Sequence, residues 1–235
     1  MGDTRAAVRS SGAARPRARK TAPEPAEQAG RARILAVAIR SFSTVGYEGT
    51  TTAGVAREAG VTQPLVHHHF GSKEGLWKAA MAELFRGVRT LTAPRDGPLT
   101  ERLLGPIEQF VRFVSERPEV TRVVAREGAT PSGRLRYLVD RYLREPFREV
   151  VAAVRDGQRA GLVATDVRPE LVLFLILGAG SHLFDVTALA RESVGVDATA
   201  AATREDFVRL LREVLRGGIF REAASPPRPA GSRRR

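Results

Sequence analysis

The chain has 235 residues, room for one large domain or a small domain joined to a larger one, and its 43% hydrophobic content excludes global disorder. It has no cysteine, which excludes a disulfide framework, thiolate metal sites and cysteine nucleophiles. A net charge of +12 at pH 7 points to a polyanionic partner, but only modestly: Lys20, Lys73 and Lys78 are the sole lysines among 38 basic residues, and an Arg- and Ala-rich composition carries some of that charge by itself.

Residues 1–29 mix Ala, Arg, Ser and Pro without apolar periodicity and read as a disordered basic arm. A first helix is predicted from Gly30 to Thr44, with Ile34, Leu35, Ala38, Ile39 and Phe42 in one stripe, and Gly46 ends it. Thr50, Thr51 and Thr52 offer a hydroxyl cap for a second helix through Glu58. After the tight turn Ala59-Gly60-Val61, Thr62 caps a third helix through His69, and a fourth runs from Lys73 to about Thr90.

A Pro/Gly linker at Ala93 to Pro98 precedes longer segments: Leu99 to Arg117, interrupted by Pro118, then Glu119 to Glu127. Arg134 to Ala160 reads as one helix kinked at Pro146, with Arg141–Glu145 or Arg144–Glu149 pairs on its solvated face. Asp166 is the expected cap of a helix over 168–188, with Pro169 in its first turn. The longest apolar run, Leu171 to Leu177, is too short to cross a bilayer, and no secretory segment is seen, so a cytoplasmic location is expected. A last helix over 203–217 places Phe207, Leu210, Leu211, Val214 and Leu215 on one face, and a basic tail follows from Pro226. No segment alternates with period two, so the expected fold is all-α.

The run Val55-Ala56-Arg57-Glu58-Ala59-Gly60-Val61-Thr62-Gln63-Pro64-Leu65-Val66 has the mechanics of a DNA-reading helix-turn-helix. Ala56 and Ala59 are small enough for two helices to cross closely, Gly60 gives the turn its freedom, and Val61 plugs the gap. Thr62, Gln63 and Pro64 then lie at the start of the second helix, where Gln can pair two-pronged with adenine and apolar carbons can touch a thymine methyl.

Together with Gly46-Tyr47-Glu48-Gly49-Thr50-Thr51 and with His68-His69-Phe70, Ser72-Lys73-Glu74-Gly75-Leu76, this run resembles the N-terminal signature of the TetR family of regulators, over Arg31 to Trp77. The resemblance implies that Thr62, Gln63, Pro64 and His68 face bases, and that Thr51, Thr52 and Lys73 hold phosphates. It also implies a homodimer on double-stranded operator DNA, with a C-terminal helical domain that dimerises and encloses a largely apolar small-molecule ligand. Three positions depart from the family. His67 stands where a phosphate-binding Tyr is usual, and its imidazole N–H can substitute at the DNA with a different reach. Leu65 stands where a small or hydroxyl residue is common, which implies an apolar base contact or a lost phosphate contact, and Gly54 stands where a charged residue is usual.

The expected organisation is therefore a basic arm at 1–29, a three-helix DNA-binding domain at 30–77, a helical regulatory and dimerisation domain at 78–220 and a basic tail at 221–235. Gly178, Ser181, His182 and Asp185 are the candidate ligand residues, because two glycines in an apolar helix leave room and the polar groups beside them can orient a ligand. The same polar groups in mutual satisfaction, or glycines admitting a partner helix, are the plainer readings. Neither cofactor nor metal is expected: adjacent residues of His67-His68-His69 point about 100° apart on a helix. Ser181, His182 and Asp185 lie too close along one helix to make a hydrolytic relay, and no catalytic motif is present, so no enzyme is expected. The rival is a basic architectural protein that binds DNA without sequence choice, and its mark is affinity that ignores sequence and collapses with salt.

Overall fold

The computed structural model describes residues 25–88 and 97–218, and its regular elements are helices throughout. The first group is α1 (Pro25–Thr44), α2 (Gly46–Gly49), α3 (Thr52–Glu58), α4 (Gln63–Phe70) and α5 (Lys73–Leu84). Helix α1 begins before the expected Gly30, so residues 25–29 of the supposed disordered arm are helical. Proline is tolerated in a first turn, Ala26, Gln28 and Ala29 favour helix, and Glu27 faces the positive end of the helix dipole. The rest of that arm, residues 1–24, lies outside the described residues, as do most of the linker at 93–98 and the tail at 221–235. Helix α5 ends at Leu84 instead of near Thr90, and the chain turns through Gly87 at φ +95°.

The second group is α6 (Leu99–Glu116), α7 (Glu119–Gly128), α8 (Gly133–Leu138), a π-turn (Val139–Leu143), α9 (Arg144–Arg159), α10 (Pro169–Asp185), α11 (Thr187–Val194) and α12 (Ala201–Gly218). The helix expected as one kinked rod over 134–160 is broken one turn upstream of Pro146. Proline has no N–H for the carbonyl of Tyr142 and its ring crowds that carbonyl. The backbone answers by widening, with the Arg144 N–H bonded to the Val139 carbonyl. Arg144 consequently pairs with Asp140, and Arg148 with Glu145 at 4.0 Å, instead of the pairs expected from spacing. Asp166 does not cap α10; Arg168 holds that position in extended backbone, as a residue before proline prefers, and no side chain caps the helix.

Two buried clusters organise the molecule. The first joins Ile34, Phe42, Val66, Leu76, Trp77 and Met81 to Val120, Val123, Leu138 and Leu143, so α7 and α8 pack into the same core as the N-terminal helices. Rings cross this junction: Trp77, itself met edge-on by Tyr47 at 6.3 Å, meets Tyr137 at 5.5 Å, and Phe85 stacks on Tyr142 at 4.9 Å. The second cluster packs α6, α9, α10 and α12 through Leu104, Val111, Val154, Ile176, Phe184 and Leu211. There Gly180 lets α10 approach α6, because a Cβ at that position would meet the Phe110 ring at 3.0 Å. Arg212 of α12 bridges to Glu101 at 2.5 Å and to Glu108, tying the last helix to α6.

Candidate nucleic-acid interface and ligand cavity

The helix-turn-helix forms as its sequence requires. Thr51 caps α3, its hydroxyl accepting the Gly54 N–H at 3.0 Å, so the glycine departure falls where the cap is received. Val55, Ala56, Ala59 and Val66 are buried where α3 crosses α4, and Gly60 turns between them at φ +65°. Thr62 stands at the cap position of α4, but its hydroxyl makes no capping bond.

Gln63, Pro64, His67 and His68 are exposed and recur at i, i+1, i+4 and i+5, so they share one outward face of α4, while Val66 is buried and Leu65 half-buried. The Gln63 amide is held in a short network. Its Nε2 donates to the Thr52 hydroxyl and to His67 Nε2, both at 3.4 Å, and His67 Nδ1 donates to the Gly71 carbonyl at 3.2 Å. The carbonyl can only accept, which fixes the His67 tautomer and leaves its Nε2 as acceptor. Bonds of 3.4 Å are weak, so the amide is oriented yet cheaply released to a base edge.

Lys73 opens α5 with its Nζ 4.4 Å from the centre of the Tyr47 ring and donating to the Glu48 carbonyl at 3.4 Å. Arg134 of α8 lies 4.3 Å from the centre of the same ring, and also reaches Glu48 at 3.4 Å and buried Glu127 at 3.1 Å. Arg126 of α7 donates to the Thr44 carbonyl at 2.7 Å and fills the space over Gly46. In the sequence Tyr47 stands in the signature run with no role of its own, and the dense arginines that include Arg126 and Arg134 read as solvated helix face, whereas here they bind across elements. Nothing in residue spacing brings positions about 80 apart together; only the packing of α7 on α1 does.

Among the candidate metal ligands, neighbouring histidines do point apart for His67. His68 Nε2 and His69 Nδ1, however, lie 3.9 and 4.0 Å from one oxygen of Glu27, in the turn of α1 that sequence reading left to the arm.

A cavity of about 1210 Å³ lies between α6, α7, α9 and α10, above the usual range of roughly 300–1,000 Å³ for ligand sites. Its walls are mainly apolar, including Ile107, Phe110, Val124, Phe147, Val150 and Leu177. Of the expected ligand residues, Gly178, Ser181 and Asp185 line it, and His182 does not. His182 projects to the exposed side of α10, one position on from Ser181 and so rotated by a helical step. Gly178 sits at the exposed rim with nothing near its Cβ direction, Ser181 is buried, and Asp185 accepts a hydrogen bond from the Thr121 hydroxyl. Gly180, expected to leave room beside them, is instead packed against Phe110.

Residues 34–80 match the model for bacterial regulatory proteins of the tetR family, and residues 96–185 match that for a tetracyclin repressor-like C-terminal domain. The chain belongs to the TetR family. It is 25% identical over 190 residues to the HTH-type transcriptional repressor SCO4008 of Streptomyces coelicolor, covering 80% of this chain and 96% of that one. Its fold is similar to that of SCO3833, a TetR regulator of Streptomyces coelicolor A3, with TM-score 0.66, 23% identity and coverage of 79% and 90%. It is similar also to AibR, solved in complex with isovaleryl coenzyme A and operator DNA, with TM-score 0.63, 22% identity and coverage of 79% and 97%. The expected all-α fold is borne out, and this TetR chain is a DNA-binding transcription regulator, not an enzyme. Among the described residues no single helix is long and apolar enough to cross a membrane.

Proposed function

We propose that the protein is a homodimeric repressor whose α4 reads an operator and whose affinity falls when a largely apolar small molecule fills the cavity between α6, α7, α9 and α10. The observation that carries this is the double duty of α7. Thr121, Val124 and Gly128 line the cavity, while Val120 and Val123 pack into the N-terminal core and Arg126 holds the end of α1. A ligand that favours one seating of α7 over another thereby biases the position of α4.

In this reading residues 30–77 bind DNA and 78–220 sense and dimerise. Thr51, Thr52 and Lys73 hold phosphates, and Thr62, Gln63, Pro64 and His68 meet bases. Two-fold pairing uses α10 and α12, each of which exposes an apolar stripe: Leu171, Phe174 and Leu175 on the first, Leu210 and Val214 on the second. Stripes of this size ask for a partner. The two α4 helices of a dimer then reach half-sites about 34–36 Å apart, and ligand binding moves them off that spacing. AibR, crystallised with an acyl coenzyme A, is a precedent for an acyl group as the class of ligand.

Footprinting on DNA flanking the protein's own gene, followed by titration of the complex with a panel of acyl coenzyme A thioesters and free fatty acids, tests the reading. Protection of a palindrome, and its release by a member of the panel, is expected. Protection without sequence preference, lost only as salt rises, would replace it with an architectural role.

A further inference from the structure

We infer that Glu27, His68 and His69 form a binding site for a divalent transition-metal ion, with zinc the ion their donors suit. Their ligand atoms all lie within 4.8 Å of one another. One Glu27 oxygen stands 3.9 Å from His68 Nε2 and 4.0 Å from His69 Nδ1. In a tetrahedral zinc site with bonds near 2.0–2.2 Å, neighbouring ligand atoms are separated by about 3.4 Å, so the carboxylate oxygen stands about half an ångström too far from each imidazole nitrogen, and side-chain rotation closes the rest. Two imidazoles and a carboxylate form a three-ligand set with a fourth position for water, and they favour zinc, nickel or copper over magnesium or calcium.

The convergence depends on the two elements that meet here. Side chains at consecutive positions of α4 diverge, but His68 and His69 flank the first turn of α1, and Glu27 enters between them. The His69 side chain is 6% exposed, so its ring is fixed by its surroundings, while Glu27 at 42% is mobile enough to close on an ion. Arg31, one turn along α1, does not neutralise the carboxylate, because its guanidinium lies over the Phe70 ring at 5.4 Å. The chain has four histidines and no cysteine, so this is where imidazole donors gather; His67 is engaged with Gln63 and Gly71, and His182 lies on α10. An ion here clamps the start of α1 to the end of α4. That site is separate from the cavity and does not depend on what the cavity binds, but it takes His68 Nε2 away from the bases, so the metal-loaded chain reads with Thr62, Gln63 and Pro64.

The test uses tag-free, metal-free full-length protein titrated with Co²⁺, read by ligand-field absorption, and then with Zn²⁺ in competition. One equivalent per chain is expected, with a four-coordinate cobalt spectrum that zinc bleaches. Glu27→Gln, a surface change, should weaken zinc by about tenfold or more and remove the rise in Tm that zinc gives the wild type. His68→Ala should do the same, and His67→Ala should leave zinc affinity unchanged. The assignment fails if no saturable cobalt spectrum develops, if Glu27→Gln binds zinc as the wild type does, or if His67→Ala loses as much affinity as His68→Ala.

Discussion

Gln63 enters a complex from an oriented position, its amide lent to Thr52 and His67 by long bonds. Gln63→Ala should weaken binding to the cognate operator by about 1–3 kcal/mol and leave random duplex nearly unaffected, measured by fluorescence anisotropy on both. Equal losses would remove Gln63 from base reading. Lys73 differs in kind, since its ammonium rests on Tyr47 and presents charge without base geometry. Lys73→Ala should weaken all sequences alike and lower the slope of log K against log salt by about one. A third residue reports on the junction. Burial, with help from the neighbouring Tyr137 hydroxyl, pushes the Tyr142 phenol up to about 12. The folded state therefore holds a proton that the unfolded chain releases near pH 10, and this contribution, present below pH 10, is lost as pH climbs toward 12. Stability measured across that window should fall less steeply in Tyr142→Phe than in the wild type.

At the scale of elements, burial separates residues that periodicity had grouped. Leu210, Leu211, Val214 and Leu215 looked like one face of α12, yet Leu211 is 7% exposed and Leu210 is 59%. A stripe broad enough to serve two interfaces has no internal mark dividing them, so the division was not legible before packing was known. Leu175→Glu, at a position 54% exposed, should yield folded monomer in sedimentation velocity, whereas Leu211→Glu should unfold the protomer itself. Gly180→Ala should cost about 1–3 kcal/mol in denaturant unfolding through its encounter with Phe110, and Gly178→Ala, with open space around it, should cost none of that penalty. Helix existence, by contrast, was plain in the sequence: Pro118, Pro169 and the 59–61 turn punctuate where the structure does. Helix α11 and the one-turn α2 were missed because short segments carry too little periodicity to register.

For the molecule as a whole, the reading helix and its fold were legible because local chemistry dictates them: small residues at a crossing, a hydroxyl cap, a left-handed turn. What couples the two halves was not. The Arg126 bond to Thr44 and the Tyr47 ring between Lys73 and Arg134 join positions remote in sequence, and their partners are backbone or π faces that leave no charge pattern to find.

The π-turn at Val139–Leu143 gives this chain a place where its length can change. An extra residue is stored there within a continuous run of helix, so a one-residue deletion in 139–143 is absorbed by narrowing the widened turn instead of breaking the helix, although Pro146 still leaves one carbonyl without its bond. Because the widened turn absorbs the extra residue, the segments before and after it keep nearly the same phase when that residue is removed, whereas a deletion elsewhere in α8 or α9 would turn one side by about 100° against the other. A deletion elsewhere would set Tyr137 and Leu138, which face Trp77 and the N-terminal core, out of phase with Val150 and Val154, which line the cavity. Within a lineage, the deletion at 139–143 would spare both the helix content and the register between core and cavity, so relatives of this chain should differ by a one-residue gap here more readily than elsewhere along α8 and α9.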